Sequence, residues 1–107
     1  MLKPREYYVL LALSGRPRHG LAVARDVGVL SGGAVRLWPA SLYGTLDDLV
    51  QRGWIHELAH PPAGESEKKR FYALTRAGRT ALGAETDRLA SLVKVARTRL
   101  RRAGEAS

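Results

Sequence analysis

Residues 39–53 read Pro39-Ala40-Ser41-Leu42-Tyr43-Gly44-Thr45-Leu46-Asp47-Asp48-Leu49-Val50-Gln51-Arg52-Gly53, and the fold turns on them. Proline suits the first turn of a helix, where its missing N–H costs nothing, and glycine suits the position just past the end. Between them Leu42, Leu46, Leu49 and Val50 recur at i, i+4, i+7 and i+8, one apolar stripe with Tyr43, Asp47 and Asp48 outside it. Two β-type runs follow, Trp54–Ala59 and Lys69–Leu74. Pro61, Pro62 and Gly64 lie between them, which reads as a hairpin with a long, exposed tip.

Upstream, Pro4 opens a helix over about residues 4–15 that places Tyr8, Leu11 and Ala12 on one face and stops at Gly15-Arg16-Pro17. A second helix spans about residues 19–31, with Leu21, Ala24, Val27 and Leu30 at three-residue steps; His19 opens it and Ser31-Gly32-Gly33 ends it. Downstream, Thr75 is a good N-cap, and no proline interrupts the Ala-, Leu- and Arg-rich chain from there to about Ala103. A helix of some 28 residues, about 42 Å long, is expected. Leu82, Leu89 and Ala96 follow at seven-residue steps, with Leu92, Val93 and Leu100 between them. A body of about 74 residues cannot cover so long a stripe, and a partner helix is its natural cover.

Three helices, a hairpin and a long helix, in that order, match a winged helix-turn-helix: mainly α (α+β), with a two-stranded wing and a long C-terminal dimerisation helix. Residues 1–74 would form the winged-helix domain and 75–107 the dimerisation helix with a basic tail. In such a fold the third helix enters the major groove and the hairpin runs along the backbone.

The 107 residues, 45% of them hydrophobic, suit one domain that buries roughly two thirds of its unfolded surface. The net charge of +8 is unevenly placed: residues 1–67 carry seven bases and seven acids, while residues 68–107 carry eleven bases against Glu85, Asp87 and Glu105. Such a half can meet a polyanion. Lys68, Lys69 and Arg70 sit at the base of the wing, where phosphate oxygens would lie; Lys94, Arg97, Arg99, Arg101 and Arg102 suit the C-terminal end of a helix dipole. The chain has no cysteine, which excludes disulfides, thiolate metal sites and cysteine nucleophiles. Its longest charge-free apolar run, Tyr7 to Gly15, is far below the roughly 20 residues that span a bilayer. Lys3 and Arg5 before Tyr7–Leu13 resemble a signal peptide, but Glu6 interrupts the approach and the run is of minimal length.

Enzymatic patterns are weak. His56-Glu57-Leu58-Ala59-His60 satisfies the H-E-x-x-H pattern of zinc proteases, whose chemistry needs both imidazoles on one face of a helix. Pro61-Pro62 and the strand-favouring Trp54-Ile55 deny it that helix, and nothing supports Glu85 as a third ligand. No glycine-rich phosphate loop follows a strand, and no Ser-His-Asp arrangement is defined around His19, His56 and His60. Trp38 and Trp54 read as packing residues, with an aromatic stacking platform as the sharper role.

A family resemblance rests on particular residues. Tyr8-Val9-Leu10-Leu11-Ala12-Leu13, His19-Gly20, Ser41-Leu42-Tyr43, Leu49 with Gly53, and Phe71-Tyr72-x-Leu74-Thr75-x-x-Gly78-Arg79 resemble, in order and spacing, the PadR family of transcriptional regulators over about residues 5–80. The resemblance implies a homodimeric repressor held together by its C-terminal helix, of the type with one such helix. It also implies that Tyr43 lies on the DNA-facing side of the recognition helix, that the basic wing approaches the minor groove or backbone, and that phenolic or other hydrophobic small molecules act as effectors. This chain departs from its relatives in carrying Gly44, Thr45, Asp47 and Asp48 where basic residues are frequent, and Leu21 where an aromatic is common.

The expectation is therefore a cytoplasmic, sequence-specific DNA-binding repressor with no enzymatic activity, no metal and no cofactor, dimeric on a pseudo-palindromic operator and relieved by a small hydrophobic or phenolic effector. Ala40, Ser41, Tyr43 and Thr45 would read bases, Lys68, Lys69 and Arg70 would hold phosphates, and Leu82, Leu89, Leu92, Val93, Ala96 and Leu100 would form the dimer seam. The alternative is a winged-helix module that recognises protein or ligand with little DNA affinity, which the Asp47-Asp48 pair favours. A zinc hydrolase built on His56, Glu57 and His60 is the third reading.

Overall fold

The computed structural model describes residues 2–106. Its elements run α1 (Pro4–Ala12), β1 (Arg18–His19), α2 (Gly20–Leu30), α3 (Pro39–Gln51), β2 (Ile55–Glu57), β3 (Phe71–Leu74) and α4 (Arg76–Ala106). The order is that of a winged helix, with four helices and an antiparallel sheet in the order β1-β3-β2.

Most differences from the sequence expectation fall at element ends. α1 stops three residues early because Ser14 turns its hydroxyl onto the Leu11 carbonyl, 2.7 Å away, and ties off the last turn. Trp54 belongs to the closing turn of α3 rather than to a strand: its N–H reaches back to the Leu49 carbonyl, 3.1 Å away, around Gly53 in the left-handed region at φ 77. Lys69 and Arg70 precede β3, since the Lys69 N–H closes a turn onto Ser66. α4 begins where Thr75 predicts. The Thr75 hydroxyl accepts the Gly78 N–H at 3.0 Å and donates to the Gly53 carbonyl at 2.6 Å, so one side chain caps α4 and anchors it to the end of α3.

The sheet has a third strand that the two-stranded wing of the sequence reading lacks. β1 pairs Arg18 with Tyr72 and His19 with Phe71, and β2 pairs Ile55, His56 and Glu57 with Leu74, Ala73 and Tyr72. Two residues are too few to show any alternation in sequence. The pairing nevertheless fixes the start of α2, because His19 both ends the strand and accepts the Ala22 N–H on its Nδ1, 3.3 Å away.

The core unites Val9, Leu10 and Leu13 with Val23 and Val27 of α2, the α3 stripe Leu42, Leu46 and Leu49, and Ile55 and Tyr72 of the sheet. Each fully buried leucine contributes roughly 1.5–3 kcal/mol. Burial also pushes the Tyr72 phenol up to about 12, and its hydroxyl has no hydrogen-bond partner among the described residues. Leu82 of α4 is 8% exposed and belongs to this core, which corrects its expected place on a partner-facing seam. Beyond it Leu89 is half-buried, and from Ala90 to Glu105 nearly every residue is exposed, so α4 projects from a molecule measuring 61 × 26 × 23 Å. Among the described residues no helix is long and apolar enough to cross a membrane.

Candidate nucleic-acid interface

α3 advances roughly 100° per residue, so burial of Leu42, Leu46 and Leu49 turns Ala40, Gly44, Asp47 and Gln51 outward, and all four are exposed. The floor of this face is bare: Ala40 and Gly44 carry almost no side chain. Thr45, expected among the base readers, is 8% exposed and lies on the inward side, one position from the core stripe. Ser41 is half-buried at one edge and turns its hydroxyl onto the Trp38 carbonyl at 3.0 Å.

Tyr43 occupies the opposite edge. Its ring packs over the start of α2, where a Cβ on Gly20 would meet the Tyr43 hydroxyl at 3.0 Å, so this glycine leaves the room that the tyrosine fills. Arg70 covers the other side of that ring, 5.7 Å from its centre and 5.6 Å from the centre of Tyr72. The same guanidinium donates to Glu57 Oε1 from Nε (3.2 Å) and Nη2 (2.9 Å) and lies 3.8 Å from Asp47. The hydrogen bond to Glu57 raises the Arg70 pKa further. Arg70, expected as a free phosphate ligand, is thus the hub joining α3 to the wing. Lys69 sits 3.4 Å from Glu65, while Lys68 is exposed and has no ion pair among the described residues.

At the Ser41 edge a second network ties α3 to α1. Arg52 bonds the almost fully buried Glu6 at 2.7 Å and Asp48 at 2.8 Å, and its guanidinium lies 5.1 Å from the centre of the Trp54 ring. Glu6 also accepts the Lys3 backbone N–H at 2.8 Å.

The H-E-x-x-H stretch is not helical. His56 and Glu57 lie in β2, where successive side chains face opposite ways, and His60 falls beyond the strand. Among the described residues no three His, Asp or Glu side chains gather as a metal site.

Three helices, the third with an exposed outer face, followed by a hairpin wing make up a winged helix, a fold found in DNA-binding proteins. The model of the transcriptional regulator PadR-like family matches residues 9–84, and the chain belongs to that family. Among solved structures it is similar to a PadR family transcription regulator from hypervirulent Clostridium difficile R20291, 16% identical with a TM-score of 0.75 over 92% of this chain and 99% of that one. It is similar to H. salinarum RosR at 27% identity and a TM-score of 0.68, over 84% of this chain and 76% of that one. Bacillus subtilis PadR, solved in complex with operator DNA, is 20% identical with a TM-score of 0.65; 78% of this chain matches 47% of that longer one. Among curated proteins none matches the sequence.

Sequence reasoning missed Glu57, Arg52 and Gly20 as organisers of this surface. The charge balance of residues 1–67 held a signal for Glu57 and Arg52, though none for Gly20. Six of its seven acids have a basic partner in space: Glu6 and Asp48 with Arg52, Asp26 with Arg18, Asp47 and Glu57 with Arg70, and Glu65 with Lys69. A region of zero net charge therefore still presents cations without an ion pair among the described residues.

Proposed function

We propose that the chain is a homodimeric repressor that acts in the cytoplasm and binds a pseudo-palindromic operator through α3. The observation that carries this reading is the bare outward face of α3, held rigidly between the α1 and wing networks. Ala40, Ser41 and Tyr43 lie along or beside that face and are the base readers, now without Thr45. Lys68 and Lys69 hold phosphates. The region 1–74 reads DNA and α4 brings two copies together.

The projecting half of α4 supports the dimer. Leu92, Val93 and Leu100 are 52%, 50% and 73% exposed, and with Leu89 and Ala96 they form a stripe that this chain leaves uncovered. Beside its near end Leu2, Pro4, Tyr7, Tyr8 and Leu89 line a cleft of about 230 Å³ in which Arg88 is bound to Glu85 at 2.6 and 2.8 Å, a largely apolar and net neutral setting for a small hydrophobic or phenolic effector.

Fluorescence anisotropy with duplexes from the chain's own upstream region tests the reading. A pseudo-palindrome with half-sites about one turn apart should be preferred over random duplex by at least about 10³-fold. Equal affinity for both returns the fold to a protein- or ligand-recognition role. Leu92→Glu with Leu100→Glu should yield monomers in sedimentation and abolish tight binding; dimers that persist would remove α4 from the interface.

A further inference from the structure

We propose that the cleft between the start of α1 and the Ser41 edge of α3 binds a backbone phosphate of the operator through Lys3 and Arg5. Together with the wing it clamps both walls of the groove that α3 occupies. The inference rests on the DNA-binding reading of α3 and adds a contact on the side away from the wing.

The positions around α3 require such a group. A helix is about 10–12 Å across, close to the width of the major groove, so a seated helix has a row of phosphates on each flank. On the Tyr43 flank the wing supplies Lys68 and Lys69. On the opposite flank lies a cleft of about 330 Å³ that Lys3 and Arg5 share with Ser41, Gly44, Asp48 and Arg52.

The charges in this cleft divide cleanly. Both Glu6 oxygens are taken, one by the Lys3 backbone N–H and one by Arg52. Asp48 is held by the same Arg52 at 2.8 Å. Lys3 and Arg5, in contrast, are exposed and have no carboxylate partner among the described residues. The sum of the five groups is +1, with both free cations at the mouth. The N-terminal end of α1 adds its partial positive charge to the same place. An anion entering the cleft thus meets two uncommitted cations, against the one net negative charge that Glu6 and Asp48 keep while sharing Arg52.

The test uses the full chain, its best upstream duplex and a random duplex of equal length, with affinities measured between 50 and 200 mM salt. Lys3→Ala and Arg5→Ala should each flatten the slope of log K against log salt by about 1.8, since each phosphate contact is worth about 0.9 and is lost from both copies of the dimer on the operator. Both should weaken the two duplexes equally and so leave the preference between them unchanged, since a phosphate contact carries no sequence information. Arg5→Lys should keep the wild-type slope. Wild-type slopes in both alanine variants, on a duplex that the wild type prefers, overturn the clamp and leave the DNA reading intact. A wild-type protein that prefers neither duplex overturns both. Thermal melts of each variant separate a lost contact from a lost fold.

Discussion

The Arg70 guanidinium lies 5.7 Å from the centre of the Tyr43 ring and is bound to Glu57 at 2.9 Å. One exposed cation thereby fixes an aromatic of α3 relative to the wing and offsets part of the charge of Glu57 and Asp47 on the surface proposed to face DNA. Each exposed pair stabilises the fold by less than about 1 kcal/mol, so the larger effect of Arg70 is expected on the proposed binding.

Arg70→Ala should therefore lower stability by about 1–2 kcal/mol, the sum of several weak contacts, and weaken operator binding by more than that energy accounts for. Pairing it with Glu57→Gln distinguishes two causes. If Arg70 acts by cancelling Glu57, the double variant regains much of the affinity; if it touches phosphate, the loss persists. Anisotropy on the four proteins of the cycle decides.

Gly44 offers an opposition between stability and binding. A Cβ there would meet nothing within 4 Å, so the fold gains nothing from glycine, which costs about 1 kcal/mol in a helix interior relative to alanine. Gly44→Ala should raise Tm by several degrees while lowering operator affinity, because the added methyl points at the groove floor. A rise in both quantities would show that α3 keeps its distance from the bases.

Gly78 is the opposite case. A Cβ there would fall 1.8 Å from the Trp54 carbonyl oxygen, a backbone atom that Thr75 also holds. Gly78→Ala should cost more than about 3 kcal/mol in a urea melt, whereas Gly83→Ala, facing open space five residues further along α4, should stabilise by up to about 1 kcal/mol.

His19 sets a pH dependence. Burial first, and then the nearby Lys69 charge, hold its pKa below the ordinary 6.5, and its neutral Nδ1 caps α2. The unfolded chain binds the proton more readily, so this contribution is complete above about pH 6.5 and is lost as pH falls through the lower folded value. Thermal melts from pH 7.5 to 5 should show stability falling in the wild type, and less so in His19→Asn, where an amide caps without titrating.

How much of this was legible follows from the length of each signal. The α3 stripe, the Gly53 stop and the Thr75 cap could be read because periodicity and caps are local. Thr45 could not be placed, since a threonine one step from a leucine stripe looks the same in sequence whether it faces solvent or core. Leu82 followed the seven-residue rhythm of Leu89 and Ala96, yet that rhythm does not reveal where the body ends and the free helix begins. Arg70 reads as a phosphate ligand from its place at the wing base, and its partners Glu57 and Asp47 stay hidden because they lie 13 and 23 positions away, where only the fold brings them near.

The unbroken run of α4 has a mechanical consequence. Its first turns are fastened to the body by Gly78, Leu82 and Thr86, whose hydroxyl meets the Tyr7 hydroxyl at 2.9 Å, while the segment from Leu89 onward, about 27 Å long, extends outward without a proline or a break. A stiff rod fixed at one end is a lever: a tilt of about 10° at the attachment moves its tip by about 5 Å. The cleft beside Tyr7, Tyr8 and Arg88 lies at that pivot, so a shift there too small to disturb the core is multiplied at the far end.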